Sequence, residues 1–402
     1  MGKNILIISQ HFYPEIGSAG NRMKNIYQLL EQEYTVNVLT TEPSYPNKSI
    51  YEDNEFWDEP NNHFNSEMVH RVRIKNRKYS RSIINRLFYY MEITIKMLLF
   101  IINNKKHYDL IFVSSPPIFI GFVGLIAKWR YKSKLILDIR DLWPESLKGV
   151  GVFDYKLVIW LLKLVEKLLY KKSNTIIVNS KGFIKYIHEN FQIDLNKILF
   201  LPNSARLSEL SVSKQETIKI KKRVVFAGNI GLAQDVSLLM SLAEGLQKNN
   251  IHLDIIGYGM KRSDLQNHTE INKLENVHFL STKTRKKCLE IIREYPVGIA
   301  TLNDKEVFKT VLPGRIIDYM ICGVPVVAAV SGYSEEVILK NGVGYVTNSR
   351  NVDELIDYII EILSSETIIE RMSSNAVNCV KNDFLWEENI KKLYDNVEYL
   401  LH

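Results

Sequence analysis

The residues best suited to chemistry lie in the stretch Thr310-Val-Leu-Pro-Gly-Arg-Ile-Ile-Asp-Tyr-Met-Ile-Cys-Gly-Val-Pro-Val-Val327. Pro313 suits a first helical turn, where its missing N–H costs nothing. Gly323 followed by Pro325 suits a helix end. Ile316, Ile317, Met320 and Ile321 recur at helical spacing as a buried side. Arg315, Asp318 and Tyr319 then share the other side, since residues three and four apart are neighbours on a helix. A cation beside the free N–H groups of a helix start makes an anion site, and an acid one turn later can accept bonds from vicinal hydroxyls. The set suits a nucleoside diphosphate. It suits equally an amphipathic helix with a surface ion pair, so the surrounding elements must decide.

Three further clusters carry polar groups at loop positions. The segment Asp138-Ile-Arg-Asp-Leu-Trp-Pro-Glu145 follows an apolar run. It sits at the carboxyl end of a predicted strand, where open α/β sheets bind ligands. Asp141 and Glu145 are the acids expected near that crevice, and the alternative is a polar loop capping the next helix. Residues 10–20 form a loop with His11, Gly17 and Gly20. Its glycines do not spell G-x-G-x-x-G, yet a Gly-rich turn before a helix can still receive phosphate. Gly228-Asn-Ile-Gly231 is a second tight turn. There Asn229, Gln234 and the opening N–H groups of a helix over 232–247 are expected to face a phosphate or an acceptor hydroxyl. Thr282 follows a strand over 277–280. The histidines are scattered, none pairing with a second His or Cys at ligand spacing, so no metal site is expected. No Asp-x-Asp pair is present, Asp138 and Asp141 being one residue too far apart.

The elements that must position these residues alternate. A buried strand over 4–9, a loop, a helix over 21–33 and a strand over 35–40 make a β-loop-α-β unit, which argues for a parallel sheet. Strands over 109–114, 134–138, 175–179 and 197–202 continue it. A long polar loop over 41–68 carries Glu52, Asp53, Glu55, Asp58 and Glu59. Near 203–217 the sequence turns polar, with Ser204, Ser208, Ser211 and Ser213, which marks a domain boundary. Beyond it the pattern restarts, with strands over 223–227, 252–256, 277–280, 297–302, 324–329 and 343–347. With 402 residues, 46% of them hydrophobic and 24% charged, two domains are expected. These are 1–205 and 206–385, followed by a helix over 386–402 that can pack back on the first domain. Cys288, Cys322 and Cys379 are far apart and odd in number, which fits a reducing compartment.

Order and spacing of these motifs resemble the GT-B architecture of nucleotide-sugar-dependent glycosyltransferases. In that architecture two Rossmann-like α/β domains with parallel sheets face across a cleft. Phe226-Ala-Gly-Asn-Ile-Gly231 with Gln234 looks like the first turn of the second domain, and Ile255-Ile-Gly-Tyr-Gly259 and Asn276-Val-His-Phe-Leu280 look like its next strands. The opening stretch looks like the family's Pro-Ser-Lys-x-x-Glu-Tyr-x-x-x-Gly-x-Pro-Val segment. The Asp138 to Glu145 cluster is similar to a branch that transfers N-acetylated amino sugars, such as N-acetyl-fucosamine, in O-antigen or capsule synthesis. The resemblance implies a retaining, metal-independent transferase of family 4 type without cofactor. Its donor would be a UDP-sugar and its acceptor a sugar on undecaprenyl diphosphate. Arg315 would hold the diphosphate and Asp318 the ribose. Gly228, Asn229, Gly231, Gln234, Thr282, Gly17 and Gly20 would line the donor site. Asp141 would face the sugar, and His11 and Glu145 the acceptor. The sequence departs from the pattern where the family's first acid is Thr310, where the common Lys is Arg315, and where its second acid is Asp rather than Glu.

The formal charge of +7 is uneven: residues 77–106 hold seven basic side chains (Arg77, Lys78, Arg81, Arg86, Lys96, Lys105, Lys106) against Glu92 alone. Helices over 81–102 and 155–172 combine apolar bulk with basic rims, as interfacial helices do, or are ordinary buried helices with basic ends. The first reading places the protein on the cytoplasmic face of an anionic membrane. The basic stretches lack the interleaved aromatics of a nucleic-acid binder. A UDP-sugar epimerase of the same architecture and a non-catalytic subunit of a polysaccharide assembly complex are the rival functions.

Overall fold

Ile5 to Ile8 and Leu110 to Val113 are uninterrupted apolar runs with no polar face to turn to water, and all eight side chains are fully buried. Such strands belong in parallel sheets covered on both faces. The computed structural model describes residues 2–57, 67–75, 83–151, 156–210 and 222–402, apart from the side chains of 83, 84, 86 and 87. Expectations resting on Asp58, Glu59, Arg77, Lys78, Arg81, Tyr155, Ser211 and Ser213, and on the side chain of Arg86, lie outside them.

The chain forms two compact units, Met1–Pro202 with Glu388–His402, and Asn203–Glu387. In the first, the order is β1 (Asn4–Ile8), α1 (Ser18–Leu30), β2 (Thr35–Thr41), β3 (Val69–Val72), α2 (Ile83–Asn103), β4 (Leu110–Ser115), α3 (Ile118–Tyr131), β5 (Lys134–Ile139), α4 (Glu145–Gly149), α5 (Lys156–Lys172), β6 (Thr175–Val178), α6 (Lys181–Phe191) and β7 (Ile198–Phe200). The sheet runs β3-β2-β1-β4-β5-β6-β7, every pair parallel. Its strand order reverses between β1 and β4, so the crevice of a doubly wound sheet opens at the carboxyl ends of those strands.

The second unit repeats the plan with β8 (Arg223–Asn229), α7 (Val236–Lys248), β9 (His252–Tyr258), α8 (Arg262–Ile271), β10 (Val277–Leu280), α9 (Arg285–Ile292), β11 (Gly298–Thr301), α10 (Gly314–Ile321), β12 (Val326–Ala329), α11 (Tyr333–Lys340), β13 (Gly344–Thr347), α12 (Val352–Leu363) and α13 (Glu366–Asp383). The parallel order is β10-β9-β8-β11-β12-β13, reversing between β8 and β11. The last helix, α14 (Trp386–Leu401), leaves this unit at once. Within the first unit its Tyr394 hydroxyl donates to the Leu29 carbonyl at 2.5 Å, and Lys3 Nζ donates to the Leu401 carbonyl at 3.3 Å.

Several local expectations change. Helix α1 starts at Ser18, with Gly17 as its N-cap at φ 109°, so Gly20 lies in its first turn and not in the preceding loop. A Cβ at Gly20 would stand 2.1 Å from the Glu15 carbonyl oxygen, so only glycine lets the loop close on the helix. The segment over 41–57 is not merely polar loop. It makes two 3₁₀ turns, Lys48–Glu52 and Asn54–Trp57, and buries Tyr51 and Phe56. His252 and His278, on adjacent strands, stack with Nδ1 and Nε2 3.1 Å from each other. Strand pairing unites residues that are 26 apart in sequence, which spacing rules do not see. Among the described residues no three His, Cys, Asp or Glu side chains gather as a metal set.

Candidate active site

Helix α10 was expected to show Arg315, Asp318 and Tyr319 on its open side. Instead Arg315 and Tyr319 are buried along with the isoleucines, because α10 is packed against β11, β12 and α13 together. The Tyr319 hydroxyl accepts from the Ala227 N–H at 2.9 Å and donates to the Ile299 carbonyl at 2.9 Å, which pins α10 across β8 and β11 at the switch point. Pro313 is the N-cap and not the first helical residue.

That anchorage fixes Arg315. Its guanidinium lies 4.0 Å from the centroid of the Phe226 ring, and Nη2 donates to the Asn229 carbonyl at 2.6 Å. Nη1 is buried and makes no hydrogen bond. Burial lowers the Arg315 pKa, against the opposing pull of Tyr319, Tyr258 and Asp318. Gly228 has φ 112°, and a Cβ there would meet Arg315 Nη2 at 3.6 Å, so glycine serves here for its backbone conformation more than for room. A buried cation with a donor left over is a preorganised place for an anion.

The structure thus brings Gly228, Asn229 and Arg315 together. Gly231 lies against the Asn229 side chain, whose Nδ2 would stand 2.9 Å from a Cβ at 231. Gln234 is in the turn before α7, its N–H donating to the Gly231 carbonyl at 3.2 Å, and its buried Oε1 is unbonded. The expectation that the opening N–H groups of this helix face a phosphate is corrected. Helix α7 starts at Val236, and Asp235 caps it, accepting from the Leu238 N–H at 3.0 Å. Arg350 Nη1 holds the second Asp235 oxygen at 2.5 Å. A carboxylate already stands where the anion was expected. Asp318 is only partly exposed, and Arg285 Nη1 donates to its Oδ1 at 2.8 Å. Burial raises the Asp318 pKa while Arg285 works against that rise. Thr282 is half-buried in the loop before α9, three residues from Arg285. Thr310 donates to the Val307 carbonyl at 2.6 Å inside the 3₁₀ turn Glu306–Thr310, a structural use for the hydroxyl at the position where the resemblance has an acid.

In the first unit the polar groups at the switch point are mostly closed on each other. Arg22 of α1 and Asp138 of β5 form a fully buried pair, with Nη2 2.7 Å and Nε 3.1 Å from Oδ1. Ser114 donates to Oδ2 at 3.0 Å, and Arg22 Nη1 donates to the Pro202 carbonyl at 3.2 Å. His11 Nδ1 is 2.9 Å from Glu15 Oε2, while Glu15 Oε1 accepts from the Ser44 and Tyr45 N–H groups at 3.2 and 2.7 Å. Glu15 therefore ties the loop with Gly17 to the segment after β2. Asp141 is half-buried, and burial pushes its carboxyl up to about 6. Such a group titrates closer to neutral pH than an ordinary carboxylate does. Glu145, first residue of α4, bonds Lys163 Nζ of α5 at 2.6 Å. That ion pair occupies the carboxylate expected to meet an acceptor.

Sequence reading missed Tyr89 and Tyr90 of α2. The Tyr89 hydroxyl takes a bond from Gln10 at 3.4 Å, and the Tyr90 ring meets Trp143 edge-on at 6.1 Å, so α2 touches both loops. Adjacent aromatic residues in an otherwise apolar helix were the available signal. It missed Arg285 as well, whose meaning depends on two carboxylates far away in sequence.

Helix α2 also turns Phe88, Met91, Ile95, Leu99 and Ile102 outward, at one-face spacing, each about half exposed. Helix α5 does the same with Leu157, Trp160, Leu161, Leu164 and Leu168, and α3, packed between them, exposes Phe122 and Trp129. Neither helix is the fully buried one that was the alternative. Exposed apolar faces on neighbouring helices mark an interaction site. Among the described residues no helix is long and apolar enough to cross a membrane.

Two family models match the chain one after the other: a glycosyl transferase 4-like domain over residues 19–204 and glycosyl transferases group 1 over 209–378. The chain is a GT-B glycosyltransferase. Of the three functions left open above, transfer is the one its domains carry. This transferase is 23% identical to an uncharacterized glycosyltransferase of Methanocaldococcus jannaschii, over 70% of this chain and 72% of that one. It is 24% identical to chitobiosyldiphosphodolichol beta-mannosyltransferase of Candida albicans, over 72% and 68%. A shorter match, 25% identical over 39% and 41%, is to the N-acetylgalactosamine-N,N'-diacetylbacillosaminyl-diphospho-undecaprenol 4-alpha-N-acetylgalactosaminyltransferase of Campylobacter jejuni. Among solved structures, Anabaena HepE in complex with UDP and glucose superposes with a TM-score of 0.71 at 16% identity, covering 99% of this chain and 100% of that one.

Proposed function

We propose that this glycosyltransferase moves an N-acetylated amino sugar from a UDP-sugar to a sugar carried on a polyprenyl diphosphate, with retention at the anomeric carbon, in capsule or O-antigen synthesis. The observation that carries the donor half is Arg315, buried at the switch point of the second sheet with Nη1 unbonded. As the bond from C1 to the diphosphate oxygen breaks, negative charge gathers on the leaving UDP. Arg315 and the N–H groups at the start of α10 stand ready to stabilise it, so the reading calls for no metal. Asp318 takes the ribose hydroxyls. In the first unit, Asp141 with its pKa near 6 faces the sugars, and His11 and the Glu145–Lys163 pair line the acceptor side.

Two relatives act, by their names, on lipid-diphosphate-linked sugars, and one of these transfers an acetylated amino sugar. The HepE complex holds UDP. These support the acceptor and donor classes. The apolar surface of α2, α3 and α5 is flanked by Lys156, Lys163, Lys167, Lys171 and Lys172 of α5, a combination suited to an anionic bilayer. The enzyme would then work as a peripheral protein on the cytoplasmic face of the membrane that carries its acceptor.

The test is a screen of UDP-sugars against a short-chain polyprenyl-diphosphate sugar. Transfer from a UDP-N-acetylamino sugar that persists in EDTA is the expected result, and transfer only from a different nucleotide sugar would overturn the donor. Flotation with vesicles containing anionic lipid tests the surface. Wild-type protein should float at low salt and the L161S/L164S/L168S variant should not; equal flotation of both would reject these helices as the docking face.

A further inference from the structure

Arg285, first residue of α9, links two carboxylates that nothing in the donor segment itself predicts. Its Nη1 donates to Asp318 Oδ1 at 2.8 Å. Its Nε and Nη2 donate to the two oxygens of Glu209 at 2.6 and 3.3 Å. Glu209 is fixed in turn: its Oε2 accepts from the Arg206 N–H at 3.0 Å, and its carbonyl accepts from Arg293 Nη2 at 2.6 Å. The guanidinium is therefore held in a fork at one end and has a single direction left for its third bond.

We propose that Arg285 is a positioning residue for nucleotide recognition, holding the Asp318 carboxylate in the orientation that receives the ribose hydroxyls. The inference rests on the reading of Asp318 given above. Asp is one methylene shorter than the Glu of the family pattern, so its reach depends on which way the carboxylate points. A bond on Oδ1 fixes that direction and turns Oδ2 into the acceptor. The cation also opposes the rise that burial gives to the pKa of this half-buried acid. An ionised carboxylate only accepts, which selects hydroxyls and repels phosphate. Arg315 stands three residues earlier on the same helix, at about 5–6 Å between Cβ atoms. The two side chains thus present an acceptor and a cation with the spacing of a ribose and its phosphate.

The test compares the binding of UDP, 2′-deoxy-UDP and 3′-deoxy-UDP by calorimetry. Wild type should prefer UDP. R285A should lose about tenfold in UDP affinity while binding the deoxy nucleotides nearly as before, so that the preference collapses. In a D318N background R285A should add no further loss. Equal weakening toward all three nucleotides, or a full additional loss on top of D318N, would overturn the proposal. Should R285A bind none of them, R285K decides. A single ammonium cannot serve both carboxylates in the forked geometry, so a reduced preference at unchanged Tm is expected, and wild-type preference overturns the idea. Wild-type protein that binds no UDP would instead remove the donor reading on which the inference stands.

Discussion

Arg22 and Arg315 occupy comparable places, each buried near the switch point of its own sheet, and they have opposite surroundings. Arg22 is closed: Asp138 and the Pro202 carbonyl receive its donors, and Ser114 completes the carboxylate. Arg315 is open, with one carbonyl for Nη2, a ring beneath it and an unbonded Nη1. A closed buried ion pair is structural, because each charge has its compensation inside the protein. An open one keeps its compensation for a ligand. Residue type and burial are the same at the two places, and only the count of partners separates scaffold from site.

The largest effect should come from breaking the closed pair. R22A leaves Asp138 buried without its partner, which should cost about 3–5 kcal/mol; urea unfolding measures it, and a loss under 1 kcal/mol would deny the pair its scaffold role. Next, R315A should leave the urea midpoint within about 1 kcal/mol of wild type while removing about 3 kcal/mol of transition-state stabilisation, as for loss of one charge-stabilising donor. Steady-state turnover and unfolding measured on the same sample would break the comparison if both arginines proved equally structural.

A third prediction sharpens it with a carboxylate. Glu166 of α5 is buried with only Tyr170 bonded to Oε1 at 2.7 Å, and burial pushes its carboxyl up to about 8. Its ordinary value is 4.5, so between pH 4.5 and 8 the folded state binds a proton that the unfolded state has released. Stability from this group is fully present below about 4.5 and falls as pH rises toward 8, by at most about 1.4 kcal/mol per unit. E166Q should flatten that slope in pH-dependent unfolding, and an unchanged slope would show the group to be solvated. The smallest effect concerns room: G20A should lower Tm by a few degrees, since the Glu15 carbonyl must move from the path of its Cβ.

Much of the architecture was legible. Apolar runs of four to six residues separated by helical periodicity mark both parallel sheets, because a strand covered on both faces must be apolar throughout. Helix starts were less legible. Gly17 and Asp235 moved α1 and α7 relative to their apolar patterns, since a cap is set by backbone conformation and a local bond that hydrophobic spacing does not report. In the site, Arg315 was legible as a cation at a helix start, yet its burial was not, because α10 is enclosed by α13 and two strands that lie outside the segment.

Sequence alone determined that two parallel α/β sheets form and that one helix carries Arg315 and Asp318 three residues apart, because periodicity and helical spacing are local properties. Tertiary structure alone decided that Arg22 meets Asp138 across 116 residues, that Asp318 meets Arg285 across 33, and that Arg315 keeps a donor unbonded. The physical reason is that a charged group takes its role from its partners, and partners are chosen by packing between strands and helices that the chain brings together from afar.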